Sequence, residues 1–321
     1  VVLERGGRRI GIVGIDVAGK TKASSNPDAG TRFLDEAATA QAQVDLLRER
    51  GVDIVVLLTH VGYLSDLDLA RSLSGVDLIV GGDSHTLLGE GFTAYGLSPA
   101  GPYPTELRNR DGDRVCVAQA WQYTWVVGVL EASFDAEGRV TSCGGRPVLL
   151  VGDDLRRGGV PLAGADLERA RAVIESSALL GRFAPDAEAQ RVLEVYRSQI
   201  ERFAGEALAT VPERLCLRRV PGSHDRSRDG APGCATRTDA QGGDVQSLVA
   251  EAFLAQGRRF GGADVALQNG GGVRRGLAPG RFTVGDAYLA LPYRNQLVRL
   301  KMTGRELRQA LEEAVDHFLA D

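Results

Sequence analysis

Apolar and polar positions follow two different patterns along the first part of the chain, and each pattern predicts a different element. Nearly continuous apolar runs at 9–17 (RIGIVGIDV), 52–60 (VDIVVLLTH) and 76–85 (VDLIVGGDSH) predict buried strands. Apolar residues at helical spacing predict helices at 35–50 and 67–75. A strand, a helix and a second strand within about 30 residues form a βαβ unit with parallel strands. The first domain is therefore predicted to be of the α/β class.

The pattern changes in the middle of the chain. Residues 114–135 alternate and are rich in β-branched and aromatic side chains, a DAEG turn follows, and RVTSCGGRPVLL comes after the turn. This pattern predicts antiparallel strands that complete the first domain. Residues 152–165 are rich in Gly, Asp and Arg, which is typical of a loop. At 186–204 apolar side chains recur on one helical face, and we interpret this segment as an interdomain helix.

Four segments organise the last third of the chain. Residues 221–243 are polar and rich in Gly and Asp, and they predict a long loop. Residues 246–256 predict a helix, and 264–276 (DVALQNGGGVRRG) predict a strand that runs into a glycine turn. A final helix is predicted at 303–319, opened by a Thr-x-x-Glu capping box. This part is therefore predicted to be a second, mixed α/β domain.

The length and net charge of the chain limit the number of domains and the classes of partner to expect. A chain of 321 residues favours two domains over one. The net charge of −4 and the pI of about 5.7 give no electrostatic reason to expect a nucleic acid polymer as a partner. No apolar run approaches the roughly 18 residues that a membrane helix needs. We therefore expect neither a nucleic-acid-binding protein nor a transmembrane segment in this chain.

The four cysteines leave two alternatives open. Cys116, Cys143, Cys216 and Cys234 include no C-x-x-C pair, which argues against a zinc ribbon or a redox motif. They form either two local disulfides, 116–143 and 216–234, in an oxidising compartment, or four buried thiols.

The two ends of the sequence suggest a fragment or a processed product of a longer polypeptide. Met302 is the only methionine, so Val1 is not an initiator residue, and the chain stops within a helical pattern without a stop signal.

Histidine and carboxylate side chains follow two of the predicted strands. His60 closes the first strand of the βαβ unit, and Asp83 and His85 follow the second. Parallel strands end at a common edge, where α/β sheets bind their ligands. Imidazole and carboxylate suit Zn, Mn, Fe or Co, so these three residues predict a partial metal site. The alternative is that each is a satisfied polar residue at a strand end.

A second group of candidates lies near the C-terminal end. The run NGGGVRR contains Asn269, Gly271 and Arg274, and LPYRN contains Tyr293 and Asn295. Glycines let backbone N–H groups face a ligand, and arginine suits carboxylate or phosphate. Tyr293 could stack on a nucleobase, with Asn295 as its polar neighbour. Alternatively, the glycines form only a tight turn, Tyr293 belongs to a core, and Arg274 is a solvated charge.

These motifs resemble a known family. LLTHVGY and VDLIVGGDSHTLLG resemble the late metal-ligand segments of calcineurin-like metallophosphoesterases. LQNGGGVRRGL, followed by FTVGDAYLALPYRNQLVRLKMTGRELRQALEEAV, resembles the C-terminal substrate domain of the 5′-nucleotidase/UDP-sugar hydrolase family. The resemblance implies a partial metallophosphoesterase β-sandwich flanked by helices at 1–152, a linker with a helix at 153–206, and an incomplete 5′-nucleotidase C-terminal domain of mixed α/β structure at 207–321.

The resemblance also implies a chemistry. The family hydrolyses phosphate esters with two divalent metal ions (Zn, Mn, Co or Mg), and His60, Asp83 and His85 would be ligands. Asp83 stands where the family has histidine in GGHSH, which affects the identity or affinity of one metal. Asn269, Gly271, Arg274, Tyr293 and Asn295 would bind a nucleotide or nucleotide-sugar, and Arg237 is a further candidate.

The early motifs of the family, D-x-H, GD and GNH-E/D, are not found here as early metal-ligand segments: GNH is absent, and the strings DSH (83–85) and GD occur only within other segments. The catalytic His–Asp pair is therefore expected upstream of Val1, and we expect the fragment itself to be inactive or nearly so. The intact parent would be a periplasmic or extracellular 5′-nucleotidase. The alternatives are a 2′,3′-cyclic-nucleotide phosphodiesterase/3′-nucleotidase, a sulfur-oxidation-type homologue, or a nucleotide-binding protein without catalysis.

Overall fold

A computed structural model describes residues 1–25, 27–157, 160–219, 231 and 233–320. The chain divides into two compact units. The first unit comprises Val1–Leu155 and Pro161–Ala184, and the second comprises Arg156–Val160 and Pro185–Asp321. The predicted domain limits at 152/153 and 206/207 remain predictions.

The described residues form both strands and helices in chain order. The strands are β1 (Val2–Arg5), β2 (Arg8–Asp16), β3 (Ile54–His60), β4 (Leu78–Gly81), β5 (Thr105–Arg108), β6 (Arg114–Gln119), β7 (Val126–Phe134), β8 (Val140–Leu150), β9 (Arg156–Arg157), β10 (Val160–Pro161), β11 (Leu180–Gly181), β12 (Ala207–Val211) and β13 (Gly280–Thr283). The helices are α1 (Ala18–Ser25), α2 (Glu36–Glu49), α3 (Tyr63–Ser72), α4 (Gly164–Ser176), α5 (Ala187–Ala204), α6 (Cys234–Gln241), α7 (Asp244–Arg259), α8 (Val284–Ala290) and α9 (Gly304–Ala320), with 3₁₀ turns at Glu90–Tyr95 and Gly270–Gly272. The predicted α/β class is confirmed.

One mixed sheet dominates the first unit. Its strands follow the order β1-β2-β3-β4-β6-β8-β11, with β5 also paired to β6 and β7 to β8. Strands β2, β3, β4 and β6 are mutually parallel, whereas β7 and β8 form an antiparallel pair. The predicted βαβ unit and the antiparallel strands are therefore both present.

The core of the first unit contains apolar side chains from the predicted strands β3 and β4. Val55 and Leu57 on β3 and Ile79 on β4 are fully buried. They belong to one apolar cluster with Val44 of α2 and Leu69 of α3. The continuous apolar runs predict strands covered on both faces. The structure buries one face of β3 and β4, whereas Leu58 and Val80 on the other face are 48% and 40% exposed.

Residues 114–135 differ from the prediction of one antiparallel segment. Strand β6 pairs in parallel with β4, and the chain leaves the sheet after Gln119. Trp121, Tyr123 and Thr124 have φ angles of 54°, 50° and 60°, which no strand adopts. The alternating pattern hid this break, because aromatic and β-branched residues favour strands.

The cysteines form two disulfides. Cys116 of β6 is bonded to Cys143 of β8, and Cys216 is bonded to Cys234 of α6. The structure therefore selects the first of the two alternatives left open by the sequence.

The second unit contains a small sheet and its own core. Strands β12 and β13 pair antiparallel, and an isolated bridge joins Leu215 to Leu277. Val211, Val245 and Val273 are buried in one apolar cluster that also includes residues of α7 and α8. The predicted helices at 186–204, 246–256 and 303–319 are present as α5, α7 and α9.

Two predictions for the second unit are wrong where the structure describes them. Residues 264–276 contain no strand but a 3₁₀ turn at Gly270–Gly272. Val265 and Leu267, the apolar residues of the predicted strand, are 53% and 57% exposed, so no core buries them. The predicted loop at 221–243 lies outside the described residues at 221–230 and 232, and from Cys234 it is helix α6. Cys234 and Thr238, both fully buried, give this helix an inner face that apolar periodicity does not reveal.

Helix α9 begins at the predicted capping box. The backbone N–H of Thr303 donates to the Glu306 carboxylate at 2.6 Å, and the N–H of Glu306 donates to Thr303 Oγ1 at 3.3 Å. The hydrogen bonds that the Thr303 N–H and the Thr303 hydroxyl donate to the Glu306 carboxylate lower its pKa. None of the helices in the described residues has both the length and the apolar character of a membrane span.

Candidate functional site

His60 and Asp83 come together at the carboxyl edge of the sheet. His60 is the last residue of β3, and β4 ends at Gly81, two positions before Asp83. His60 Nε2 lies 3.5 Å from Asp83 Oδ1. The structure thus brings these two predicted ligands into contact, because the parallel strands end side by side.

The loop after β4 has an unusual backbone. Asp83 and His85 adopt left-handed conformations, with φ angles of 72° and 52°. Asp and His tolerate this region better than most residues do. Gly82 has no side chain, and a Cβ at this position would lie 2.9 Å from His60 Nδ1. The main chain therefore approaches the imidazole directly.

Gln119 holds this loop in place, and sequence reasoning missed it. Its side-chain nitrogen donates to the Gly82 carbonyl at 3.0 Å. Its side-chain oxygen accepts hydrogen bonds from Ser84 Oγ, at 3.2 Å, and from the Thr86 N–H. Gln119 is buried at the end of β6. The available signal was a polar amide inside the apolar run VCVAQA, because a buried amide needs partners.

Asp66 contacts the carboxyl ends of both β3 and β4. It lies on α3, is fully buried, and accepts a hydrogen bond from Thr59 Oγ1 next to His60. Its other oxygen has no hydrogen-bond partner among the described residues. A Cβ on Gly81 would lie 2.0 Å from that oxygen, so the carboxyl fits only against a glycine. Burial raises the pKa of Asp66 to about 6, although the Thr59 hydrogen bond opposes this shift.

Lys20 is a third member of this site that the sequence did not reveal. It lies on α1, and its ammonium donates to Asp83 Oδ1, the oxygen that also faces His60. The Lys20 side chain is 61% exposed, whereas that of Asp83 is 15% exposed. The carboxylate of Asp83 is therefore mostly buried, and the Lys20 ammonium contacts it from the solvent side.

His85 contacts an aromatic cluster. Its ring lies 5.1 Å from that of Tyr123, edge to face. Tyr123 in turn contacts Trp125 at 5.6 Å, and Trp125 contacts Trp121 at 5.0 Å. Such edge-to-face pairs stabilise ring orientation by about 0.5–1.5 kcal/mol each. The left-handed loop after β6 thus places a ring against His85.

His60 and Asp83 have donor atoms and a spacing that two ligands of one metal ion would have. Two donors bound to a single ion at zinc-type distances lie about 3 to 3.5 Å apart, and His60 Nε2 and Asp83 Oδ1 have this spacing. Within the part of the chain that the structure describes, however, no group of three or more His, Cys, Asp or Glu side chains could hold a metal. The roles of His60, Asp83 and His85 as metal ligands remain predictions.

In the second unit, Arg274 and Tyr293 form a pair. Arg274 Nε donates to the Tyr293 hydroxyl at 3.0 Å, and a second guanidinium nitrogen donates to the same oxygen. The guanidinium carbon lies 5.2 Å from the ring centroid, and Tyr293 is 49% exposed. Tyr293 is not a core residue, and its ring remains accessible while its hydroxyl is fixed.

The glycine turn lies before Arg274 in the chain. The N–H of Gly272 donates to the Asn269 carbonyl at 2.9 Å and closes the turn, in which Gly271 is the central residue. The Asn269 side-chain oxygen accepts a hydrogen bond from Gln268 at 3.2 Å. The N–H of Asn295 donates to the Tyr293 carbonyl at 2.9 Å, and Asn295 itself is exposed.

Arg237 has structural partners. Its Nε and Nη2 donate to the two oxygens of Asp244 at 3.2 and 2.8 Å, and Nη2 also donates to the Arg214 carbonyl. Asp244 accepts a further bond from the N–H of Cys216 at 2.8 Å. Arg237 thus fixes the start of α7 to the disulfide-bonded segment. Its predicted role in substrate binding remains a prediction.

Comparison with known proteins gives one consistent result. Residues 226–319 match the family of the 5′-nucleotidase C-terminal domain. The whole chain is 32% identical to a probable 5′-nucleotidase of Treponema pallidum and covers 54% of it. Over 98% of its length it is 30% identical to the NAD 5′-nucleotidase of Haemophilus influenzae, of which it covers 52%. The chain therefore spans about half the length of these curated relatives.

Solved structures agree. A 5′-nucleotidase precursor from Thermus thermophilus matches 91% of this chain with a TM-score of 0.65 and 33% identity, and 48% of that protein is covered. The NAD nucleotidase of Haemophilus influenzae also matches 91%, with a TM-score of 0.62 and 26% identity, and 51% of it is covered. The predicted resemblance is confirmed: this chain resembles 5′-nucleotidases along its whole length and matches, at residues 226–319, their C-terminal domain.

Proposed function

We propose that this chain is part of an enzyme that hydrolyses phosphate esters of nucleotides or nucleotide-sugars. One observation carries the proposal: similarity to 5′-nucleotidases covers the entire chain and includes a match to their C-terminal domain at 226–319. The exposed Tyr293 ring and its Arg274 partner lie within that matched segment and offer a surface that suits a nucleobase.

The proposed enzyme uses two divalent metal ions, of the Zn, Mn, Co or Mg class. His60, Asp83 and His85 would contribute to their binding. Such ions, when bound, lower the pKa of water and neutralise charge on a phosphate. The chain's own residues fix this edge of the sheet. Gln119 holds the loop that carries Asp83, and Asp66 contacts Thr59 and Gly81, which precede His60 and Gly82 in the chain.

In the second unit, the proposed substrate contacts surround Tyr293. The base would stack on its ring, which contributes roughly 1–3 kcal/mol. Arg274 holds the hydroxyl of Tyr293 and limits the rotation of the ring. Asn295, Asn269 and the Gly271 backbone would supply polar contacts. Arg237 would act by fixing the start of α7 through Asp244, in addition to any contact of its own.

Residues 1–321 alone would hydrolyse nucleotides slowly or not at all. The described residues bring together two donors, His60 and Asp83, and no three-ligand group occurs among them. Fast turnover by this purified polypeptide with Mn²⁺ or Co²⁺ would contradict that expectation.

The direct test combines binding and turnover. Calorimetry of residues 1–321 with AMP, UDP-glucose and 2′,3′-cyclic AMP should detect binding that Tyr293→Ala weakens. The full-length protein that contains these residues should hydrolyse one of these compounds when Mn²⁺ or Co²⁺ is added. Absence of nucleotide binding by both polypeptides would refute the proposal, and the preferred compound separates the 5′-nucleotidase from the cyclic phosphodiesterase.

One observation favours a second candidate, a nucleotide-binding protein without catalysis. The Lys20 ammonium already neutralises Asp83, one of the proposed metal ligands. This candidate predicts that AMP binds equally well with and without EDTA and that no phosphate is released. The proposed hydrolase would release phosphate in a metal-dependent way.

The proposed location is periplasmic or extracellular. The two disulfides support it, because structural disulfides persist mainly in oxidising compartments. Labelling of free thiols in protein from the native cells, with and without prior reduction, tests whether both bonds are formed there.

A further inference from the structure

The carboxylate of Asp83 has two nitrogen neighbours on the same oxygen. Lys20 Nζ donates to Oδ1, and His60 Nε2 lies 3.5 Å from that atom. The carboxylate is mostly covered, whereas the lysine reaches it from the solvent side. An ion bound by both His60 Nε2 and Asp83 Oδ1 would have to approach the oxygen that the ammonium occupies.

A lysine and a divalent cation cannot both stay close to one carboxylate oxygen at no cost. Their charges repel each other, and at a separation of about 4 Å this repulsion is substantial even at a water-exposed edge. The charge of Asp83 is also already neutralised by Lys20, so a metal gains less from this ligand than from a free carboxylate. A neutral imidazole at position 83 would carry no charge to pair with the ammonium.

We propose that the Lys20 ammonium, which is paired with Asp83 at the carboxyl edge of the sheet, competes with a divalent metal ion for the carboxylate of Asp83. The proposal rests on the proposed function, because it takes His60 and Asp83 to be metal ligands. It adds a residue that lies outside the predicted ligand set and that lowers the metal affinity of the site. Metal binding at this edge then requires the Lys20 side chain to swing away.

The chain offers a matched pair of variants. Lys20→Met keeps the apolar stem and removes the ammonium, whereas Lys22→Met does the same two positions later on α1. Lys22 makes no contact with Asp83 in the described residues. Calorimetric titration with MnCl₂ should give a Kd about tenfold lower for Lys20→Met than for the unaltered protein, and an unchanged Kd for Lys22→Met.

A second background shows whether the effect depends on the carboxylate. In Asp83→His the ammonium has no charged partner at position 83, so adding Lys20→Met should change the Kd for Mn²⁺ less than twofold. A tenfold change in this background would overturn the proposal, because Lys20 would then act through general repulsion. An equal or higher Kd for Lys20→Met in the unaltered background would also overturn it.

The outcome is separable from that of the proposed function. AMP binding at Tyr293 is measured on the same samples and does not involve Lys20. If neither protein binds Mn²⁺ but both bind AMP, the competition proposal fails while nucleotide recognition stands. If AMP binding is also absent, the proposed function fails as well.

Discussion

The side-chain nitrogen of Gln119 donates a 3.0 Å hydrogen bond to the carbonyl of Gly82. This bond ties the end of β6 to the loop that carries Asp83 and His85. It explains how a short loop with two left-handed residues keeps one conformation. The two residues lie far apart in sequence, so the chemistry proposed for the loop depends on an amide in another strand.

Replacing Gln119 by Glu should destabilise the first unit. The substitution exchanges the donor for a carboxylate oxygen that faces the Gly82 carbonyl, so a buried acceptor loses its partner. We expect the free energy of unfolding to fall by about 1–3 kcal/mol, measured by urea denaturation. Gln190→Glu, on the exposed surface of α5, is the control and should change little. Equal stability of the two variants would show that the Gln119 bond is not needed.

Replacing Tyr293 separates stacking from hydrogen bonding. Tyr293→Ala removes the ring and should raise the KM or Kd for AMP by an amount equivalent to about 1–3 kcal/mol. Tyr293→Phe keeps the ring but removes the acceptor for Arg274, so its effect should be smaller. A small phosphate ester without a base, such as 4-nitrophenyl phosphate, should be affected by neither. Equal losses for AMP and the small ester would contradict the stacking role.

Asp66 should make stability depend on pH. Its pKa is about 6 in the folded protein, against a usual value of 3.8, so the folded state retains a proton that the unfolded state loses. Stability should therefore decrease as pH rises from about 4 through 6, by up to about 3 kcal/mol.

Asp66→Asn removes that titration and should flatten the decrease in stability between pH 4 and 6, as measured by urea denaturation at several pH values. The remaining slope would come from other groups, among them Asp77, whose burial also raises its pKa to about 6. Asp68→Asn, exposed on the same helix, should leave the pH profile unchanged. Parallel profiles for Asp66→Asn and the unaltered protein would exclude Asp66 as the source.

The two disulfides should contribute similar amounts to stability. They close segments with sequence separations of 27 and 18 residues. The loop-entropy estimate for such lengths is about 3–4 kcal/mol each. Cys116→Ala/Cys143→Ala and Cys216→Ala/Cys234→Ala should each lower the stability of the unit concerned, measured by denaturant unfolding of that unit. A variant that unfolds at the same denaturant concentration as the unaltered protein would contradict this expectation.

The sequence predicted those parts of the fold in which one local pattern dominates. The runs IVVLL in β3 and DLIV before Gly81 indicate parallel strands by their apolar character alone. Only one face of each is buried in the core, since Leu58 and Val80 on the other face are 48% and 40% exposed. Helix α1 escaped prediction because AGKTKASS has no apolar face and buries none of its residues. The prediction of a strand at 264–276 was wrong for a local reason. A short apolar stretch before glycines has the pattern of a strand whether or not a neighbouring strand pairs with it.

The candidate site was predicted only in part for a related reason. His60 and Asp83 follow strands that the sequence locates, and their contact follows from the parallel arrangement. The roles of Lys20, Asp66 and Gln119 depend on contacts between elements that are distant in sequence. Burial and hydrogen-bond partners identify them. Of the three, Gln119 alone has a sequence signal, as an amide within the apolar run VCVAQA.

The absence of a side chain at position 82 has a consequence for redesign. The imidazole of His60 rests on the main chain there, within 2.9 Å of where a methyl group would be. Under the proposed function, exchanges at residues 83 and 85 would alter which metal ion is preferred. The gap between the two strand tips, by contrast, is a property of the peptide backbone, and no choice of amino acid at position 82 widens it without displacing the ring.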